Sequence, residues 1–185
     1  TAPDHGDPAV YTEMELTATD AGGAIAKTSV NIYLSNGAAP GSNLIQNPSF
    51  ETADSANPAI PFTWNSYKWG TSTTTFTYPV AGYDGANSRA AKVTVAAYTS
   101  GDAKWGFDPV HADPNKDYAF SDRYQSTVPT RIVAASTDIN DITTYTELAI
   151  MPASASWAQT NVVYHTPADV RTLAIFHLID QNGTL

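Results

Sequence analysis

A chain of 185 residues is long enough for one β-sandwich of ordinary size plus a short appendage. Its net charge of −9, with no basic cluster anywhere, excludes a nucleic-acid backbone or an anionic membrane surface as the expected partner. The absence of cysteine excludes a disulfide framework and a thiolate metal site, and no apolar run approaches the roughly 20 residues of a membrane span.

Only 15% of the residues are charged, while Thr, Ser, Ala, Asn, Tyr and Trp are plentiful. That balance suits many short strands with polar, uncharged faces rather than helices. The chain opens at Thr1 with neither Met nor a signal-peptide pattern, as a processed or excised chain does. Residues 9–20 alternate apolar and polar from Val10, and residues 24–34 do so again through Ile25, Val30, Ile32 and Leu34. Between them Asp20-Ala-Gly-Gly is turn chemistry, so the pattern predicts a β-hairpin. One apolar face of a lone hairpin has nothing to cover it in water, which calls for further strands or a docking surface. The small, polar, Gly- and Pro-containing stretch that follows reads as a linker. This divides the chain into 1–36, a linker at 37–42, and 43–185.

From Asn43 onward, strand patterns recur between turn signals at 44–51, 74–79, 89–97, 103–108, 117–126, 130–138, 144–150, 157–165 and 171–179. Pro and Gly fall mainly between these segments, where no ladder hydrogen bond is lost. The expected fold class is therefore all-β, a sandwich of two sheets.

Sugars present C–H faces that stack on aromatic rings and hydroxyls that pair with Asp, Asn, Gln and Arg. With 4 Trp and 10 Tyr the chain has rings to spare for such contacts. Trp69 in Tyr67-Lys-Trp-Gly70 and Trp105 in Gly101-Asp-Ala-Lys-Trp105 each follow a Lys, and Tyr124 follows Asp122-Arg123. These, with Asp122 and Tyr83, are the candidate carbohydrate contacts. In a strand over 117–126, Tyr118, Phe120, Asp122 and Tyr124 share one face. The competing reading places these aromatics, with Trp64 and Trp157, in the core.

Two resemblances sharpen the expectation. Leu16-Thr-Ala-Thr-Asp20 and the glycine turn after it resemble the closing hairpin of immunoglobulin-like domains of the polycystic-kidney-disease type. Asn43-Leu-Ile-Gln-Asn-Pro-Ser-Phe-Glu51 resembles the opening of the jelly-roll carbohydrate-binding modules appended to extracellular glycoside hydrolases and polysaccharide deacetylases. The likeness continues in order through Trp64, Trp69-Gly70, Tyr83-Asp-Gly-Ala-Asn-Ser88, Tyr98 to Trp105, Tyr118 to Asp122 and Phe176-His-Leu178. It implies a jelly-roll β-sandwich over 43–185 that binds a polysaccharide or other glycan, is not itself an enzyme, and works outside the cell or on its surface.

The same resemblance implies a final strand after Gly183-Thr-Leu185, which this sequence lacks. It also implies a structural calcium held by an acidic residue at the position of Glu51, backbone carbonyls and an Asp of that final strand. A sandwich short of one strand exposes unpaired backbone groups. The alternative expectation is therefore a structural subunit of an extracellular filament or surface layer, self-associating by strand donation.

No catalytic signature accompanies these patterns. His5, His111, His165 and His177 lack zinc-ligand spacing, and His177 reads as a strand residue satisfied by a hydrogen bond. No local motif brings two carboxylates together as a glycosidase needs. The one glycosylation sequon, at Asn182 to Thr184, matters only in a glycosylating host.

Overall fold

The computed structural model describes residues 11–19, 25–33 and 42–185, with side chains in 42–185 apart from Ala86. Internal contacts divide the chain into two units, Thr1–Asn43 and Leu44–Leu185. In the first, β1 (Tyr11–Thr19) pairs antiparallel with β2 (Ile25–Tyr33), from Tyr11 opposite Tyr33 to Thr19 opposite Ile25. The alternating pattern thus forms the hairpin it predicts. Two strands are common to many β folds, and an immunoglobulin-like identity does not follow from them.

The second unit is built of strands in two layers. One layer is a six-stranded sheet that runs in the order β10 (Thr143–Met151), β9 (Thr130–Asp138), β12 (Val170–Ile179), β6 (Asp102–Phe107) and β3 (Trp64–Trp69), with β7 (Val110–His111) also on β12. The other layer holds β11 (Ser154–His165) paired with β8 (Asp117–Ser126), and separately β5 (Gly85–Ala96) between β4 (Thr73–Gly82) and β13 (Gly183–Thr184). All these pairings are antiparallel. Among the described residues there is no helix, and none is long and apolar enough to cross a membrane.

Alternation sorts each strand into a core side and an outer side. Inward residues Phe107, Phe120, Ile132, Ala134, Tyr164, Leu173 and Ile175 form one buried cluster, and Tyr78, Val93, Val95, Trp105 and Ile179 another. Trp64 joins them, stacking on Phe50 at 4.3 Å and edge-on to Phe107 at 5.4 Å. Polar ties cross between the layers. Tyr164 Oη donates to Ser136 Oγ at 3.0 Å. His177 lies between Asp122 Oδ2 (2.6 Å from Nδ1) and Thr130 Oγ1 (2.7 Å from Nε2), the satisfied strand histidine expected from the sequence.

Two expected elements come out differently. Residues 44–51 are bends and turns rather than a strand, because Asn47 and Phe50 take positive φ (51° and 60°) and the chain folds back. Asn47 holds that fold, its side chain accepting from Thr52 N–H and donating to the Thr52 and Phe62 carbonyls. Strand β3 was not apparent from sequence, since it is an edge strand whose outward residues Tyr67 and Trp69 are aromatic and whose inward Ser66 and Lys68 are polar. At the other end Gly183–Thr184, where the resemblance places only the approach to a final strand, itself forms β13, and the ladder continues as Val93 N–H donates to Leu185 O at 2.7 Å.

Candidate functional site

The outer side of the six-stranded sheet gathers aromatic and polar side chains from several strands. Its members follow from register. Trp64, Ser66 and Lys68 pair with inward positions of β6, so Asn65, Tyr67 and Trp69 point outward beside Gly106, Lys104 and Asp102. Leu178 lies opposite Lys104 and Arg131, and Phe176 opposite Val133. On β10 a bulge between Glu147 and Ala149 turns Leu148 to the core and leaves Tyr145, Glu147 and Ile150 on the outer side. From β3 to β10 the sheet is five strands wide, roughly 19 Å at about 4.8 Å per strand. That distance takes several pyranose rings laid end to end across the strands.

Exposed rings and apolar groups stand toward the two sides and fixed charges lie between them. Trp69 is 63% exposed and Tyr67 41% on β3, and Tyr145 is 66% and Ile150 58% exposed on β10. Asp102 accepts from Trp69 Nε1–H through Oδ2 and from Lys104 Nζ through Oδ1. Lys104 is itself buried and its ammonium lies 5.1 Å from the Phe176 ring centroid. Gly106 leaves room for this packing, since a Cβ there would lie 3.0 Å from both the Phe176 and Tyr67 rings. Arg131 donates through Nε to Asp180 Oδ2 at 2.6 Å and through Nη1 to Glu147. The hydrogen bonds to Asp180 and then Glu147 hold the guanidinium above its ordinary pKa, so it remains charged.

The position of Trp69 is set by backbone as well. Gly70 (φ +78°) and Gly101 (φ +94°) approach so closely that a Cβ on Gly101 would lie 2.0 Å from Trp69 O. Only glycine accommodates that contact and that φ together.

The candidate residues read from sequence are dispersed. Trp69 lies on this outer face. Trp105, one step out of phase with Lys104, points into the core, where its ring meets Phe76 edge-on at 5.5 Å and Nε1–H donates to Lys92 O at 3.1 Å. Tyr124 is also a core residue rather than an exposed one, donating from Oη to Pro152 O at 3.1 Å; burial, then Asp122, pushes its phenol up. Asp122 shares that inward face as the alternation requires, and it is engaged with His177. Tyr83 is exposed, but on the other layer, in the turn between β4 and β5. What the sequence did not single out is the rest of the outer face: Tyr67, Tyr145, Lys104, Arg131, Phe176, Asp102, Glu147 and Asp180. The alternation of Thr143, Tyr145 and Glu147 was the one available local signal.

Glu51, the residue expected to hold calcium, meets a backbone donor. Its Oε1 accepts from Arg89 N–H at 2.9 Å, and among the described residues no three His, Cys, Asp or Glu side chains gather to hold a metal.

No family model and no curated protein matches the sequence. Solved structures do. The enzymatically active domain of tailspike protein 4 of bacteriophage CBA120 is 14% identical with a TM-score of 0.52, over 77% of this chain and 20% of that one. This chain thus spans about a fifth of that domain's length. The family 11 carbohydrate-binding module of the cellulosomal cellulase Lic26A-Cel5E of Clostridium thermocellum is 14% identical with a TM-score of 0.47, over 66% and 82% of the two chains. The CBM22-1 xylan-binding domain of Paenibacillus barcinonensis Xyn10C is 15% identical with a TM-score of 0.49, over 74% and 84%. At 14% identity the likeness to the tailspike domain is one of fold alone, and carbohydrate-binding modules stand among the other solved structures that resemble this chain.

Proposed function

We propose that the chain is a noncatalytic module of an extracellular or surface protein, and that it binds a neutral polysaccharide across the outer face of the six-stranded sheet. The observation that carries this reading is Trp69. Its ring is largely exposed yet fixed at the edge by Asp102 and at the backbone by the Gly70 and Gly101 contact. A fixed, open indole offers a stacking surface with little conformational entropy left to lose.

Charge supports the neutral ligand. Lys104 and Arg131 are matched by Asp102, Glu147 and Asp180, so the face offers a polyanion no net attraction. The same pairings argue for binding without catalysis, because each of these carboxylates is committed to a cation or an indole N–H rather than poised against a glycosidic oxygen.

The test is retention on a panel of insoluble and soluble neutral polysaccharides, comparing the chain with Trp69→Ala and Tyr67→Ala. Retention of the parent and its loss in both variants, with unchanged circular dichroism, supports the reading. Retention that survives both substitutions overturns it, as does the absence of binding to any polymer of the panel.

A further inference from the structure

The outward side of the second layer carries an arginine that this binding face does not use. Arg123 on β8 lies with its guanidinium over the Tyr83 ring, Cζ 4.1 Å from the centroid. Trp157 of β11 meets the same ring edge-on at 6.1 Å. Gln159, directly across the β8–β11 ladder from Arg123, is exposed, and its amide reaches Asn161 at 3.3 Å.

Three other cations of this unit are held in ion pairs. Lys104 pairs with Asp102, Arg131 with Asp180 and Glu147, and Arg171 with Asp141. Arg123 is exposed, and among the described residues no carboxylate lies within ion-pair distance of it. With its Cζ over the Tyr83 ring the exposed guanidinium rests against an aromatic face, and a guanidinium matches a carboxylate through two parallel hydrogen bonds. The ordering of a long side chain is then already done before a ligand arrives. Beside it the Trp157 indole and the Gln159 and Asn161 amides offer a ring-stacking surface and donors and acceptors for hydroxyls.

From this juxtaposition we infer that Tyr83, Arg123, Trp157 and Gln159 form a second glycan site, on the opposite side of the sandwich from Trp69, which takes a uronic acid residue. The carboxylate of the sugar pairs with Arg123 and its ring lies against Trp157. This site does not depend on the neutral-polymer reading of the other face.

Calorimetric titration of the full chain with galacturonate and glucuronate oligomers tests it, with the methyl-esterified oligomer and inorganic sulfate as comparisons. The expected result is binding of an acidic oligomer that weakens with added salt and falls about tenfold or more in Arg123→Gln. Arg123→Lys, which keeps the charge but not the fork, restores part of it. The methyl ester binds correspondingly less well, and Trp69→Ala, which acts on the other face, does not remove the binding of the acidic oligomer. The inference is overturned if neither acidic oligomer binds, if Arg123→Gln binds as the parent does, or if Trp69→Ala removes the binding and so places it on the other face. Sulfate that displaces the oligomer at equal concentration also overturns it, since the site is then for an anion and not for a sugar.

Discussion

Replacing Asp102 separates the orientation of Trp69 from its mere presence. The carboxylate serves two side chains at once, taking the Trp69 indole N–H and the Lys104 ammonium. In Asp102→Ala the Lys104 side chain, only 11% exposed, loses the single ion pair it makes, and leaving a group so little hydrated without a partner costs about 1–3 kcal/mol of stability. Trp69 keeps its position on β3 but not its ring plane. Ordering one such side chain on ligand binding costs about 0.5–1.5 kcal/mol, a weakening of roughly 2- to 13-fold. Asp102→Asn keeps an acceptor for the indole while losing the charge opposite Lys104, so it falls closer to the parent in affinity than in stability. Titration of the polysaccharide and thermal melting give the two numbers, and the Trp69 Nε1–H proton resonance reports the hydrogen bond itself. If Asp102→Ala shifted that resonance but bound as tightly as the parent, the fixed orientation of Trp69 would have no part in recognition.

Three other outcomes follow from the packing. Gly101→Ala puts a methyl group 2.0 Å from Trp69 O at a φ of +94°, so it lowers stability by more than about 1 kcal/mol in a denaturant melt and weakens polysaccharide binding with it. Because burial and then Asp122 raise the Tyr124 pKa above 10.0, its contribution to stability is fully present below about pH 10 and is lost as pH rises through the higher folded value; Tyr124→Phe flattens that alkaline decline in Tm. Glu51 accepts from the Arg89 N–H, so Glu51→Ala leaves that donor without its acceptor and lowers stability by about 0.5–1.5 kcal/mol in a denaturant melt.

How far these features were legible in the sequence depended on the kind of question. Alternation in 117–126 correctly grouped Tyr118, Phe120, Asp122 and Tyr124, but periodicity says which residues share a face and not which face is covered. Here that face is the core, and Phe120 and Tyr124 are buried in it. Trp69 and Trp105 look alike locally, each after a Lys, yet the register that sets Trp69 opposite Asp102 sets Trp105 opposite Ser66, and the two indoles part to opposite sides of the sheet. No window of sequence contains that register. The outer face draws on Asn65, Lys104, Arg131, Glu147 and Asp180, brought together only by a sheet order that places β12 between β6 and β9. The turn at 44–51 escaped for a different reason. Its apolar residues imitate a strand, whereas the positive φ of Asn47 and Phe50 is imposed by side-chain hydrogen bonds reaching as far as Phe62.

The most direct test of a binding face on the six-stranded sheet is the affinity of the Trp69→Ala, Tyr67→Ala double variant for the polysaccharide that the parent chain retains best. Both side chains are exposed, so the Tm is expected to stay near that of the parent, while the loss of two stacking rings, about 1 kcal/mol or more each, weakens binding by at least roughly 30-fold. Parent-like affinity in a correctly folded double variant would contradict the assignment and move the ligand to another surface.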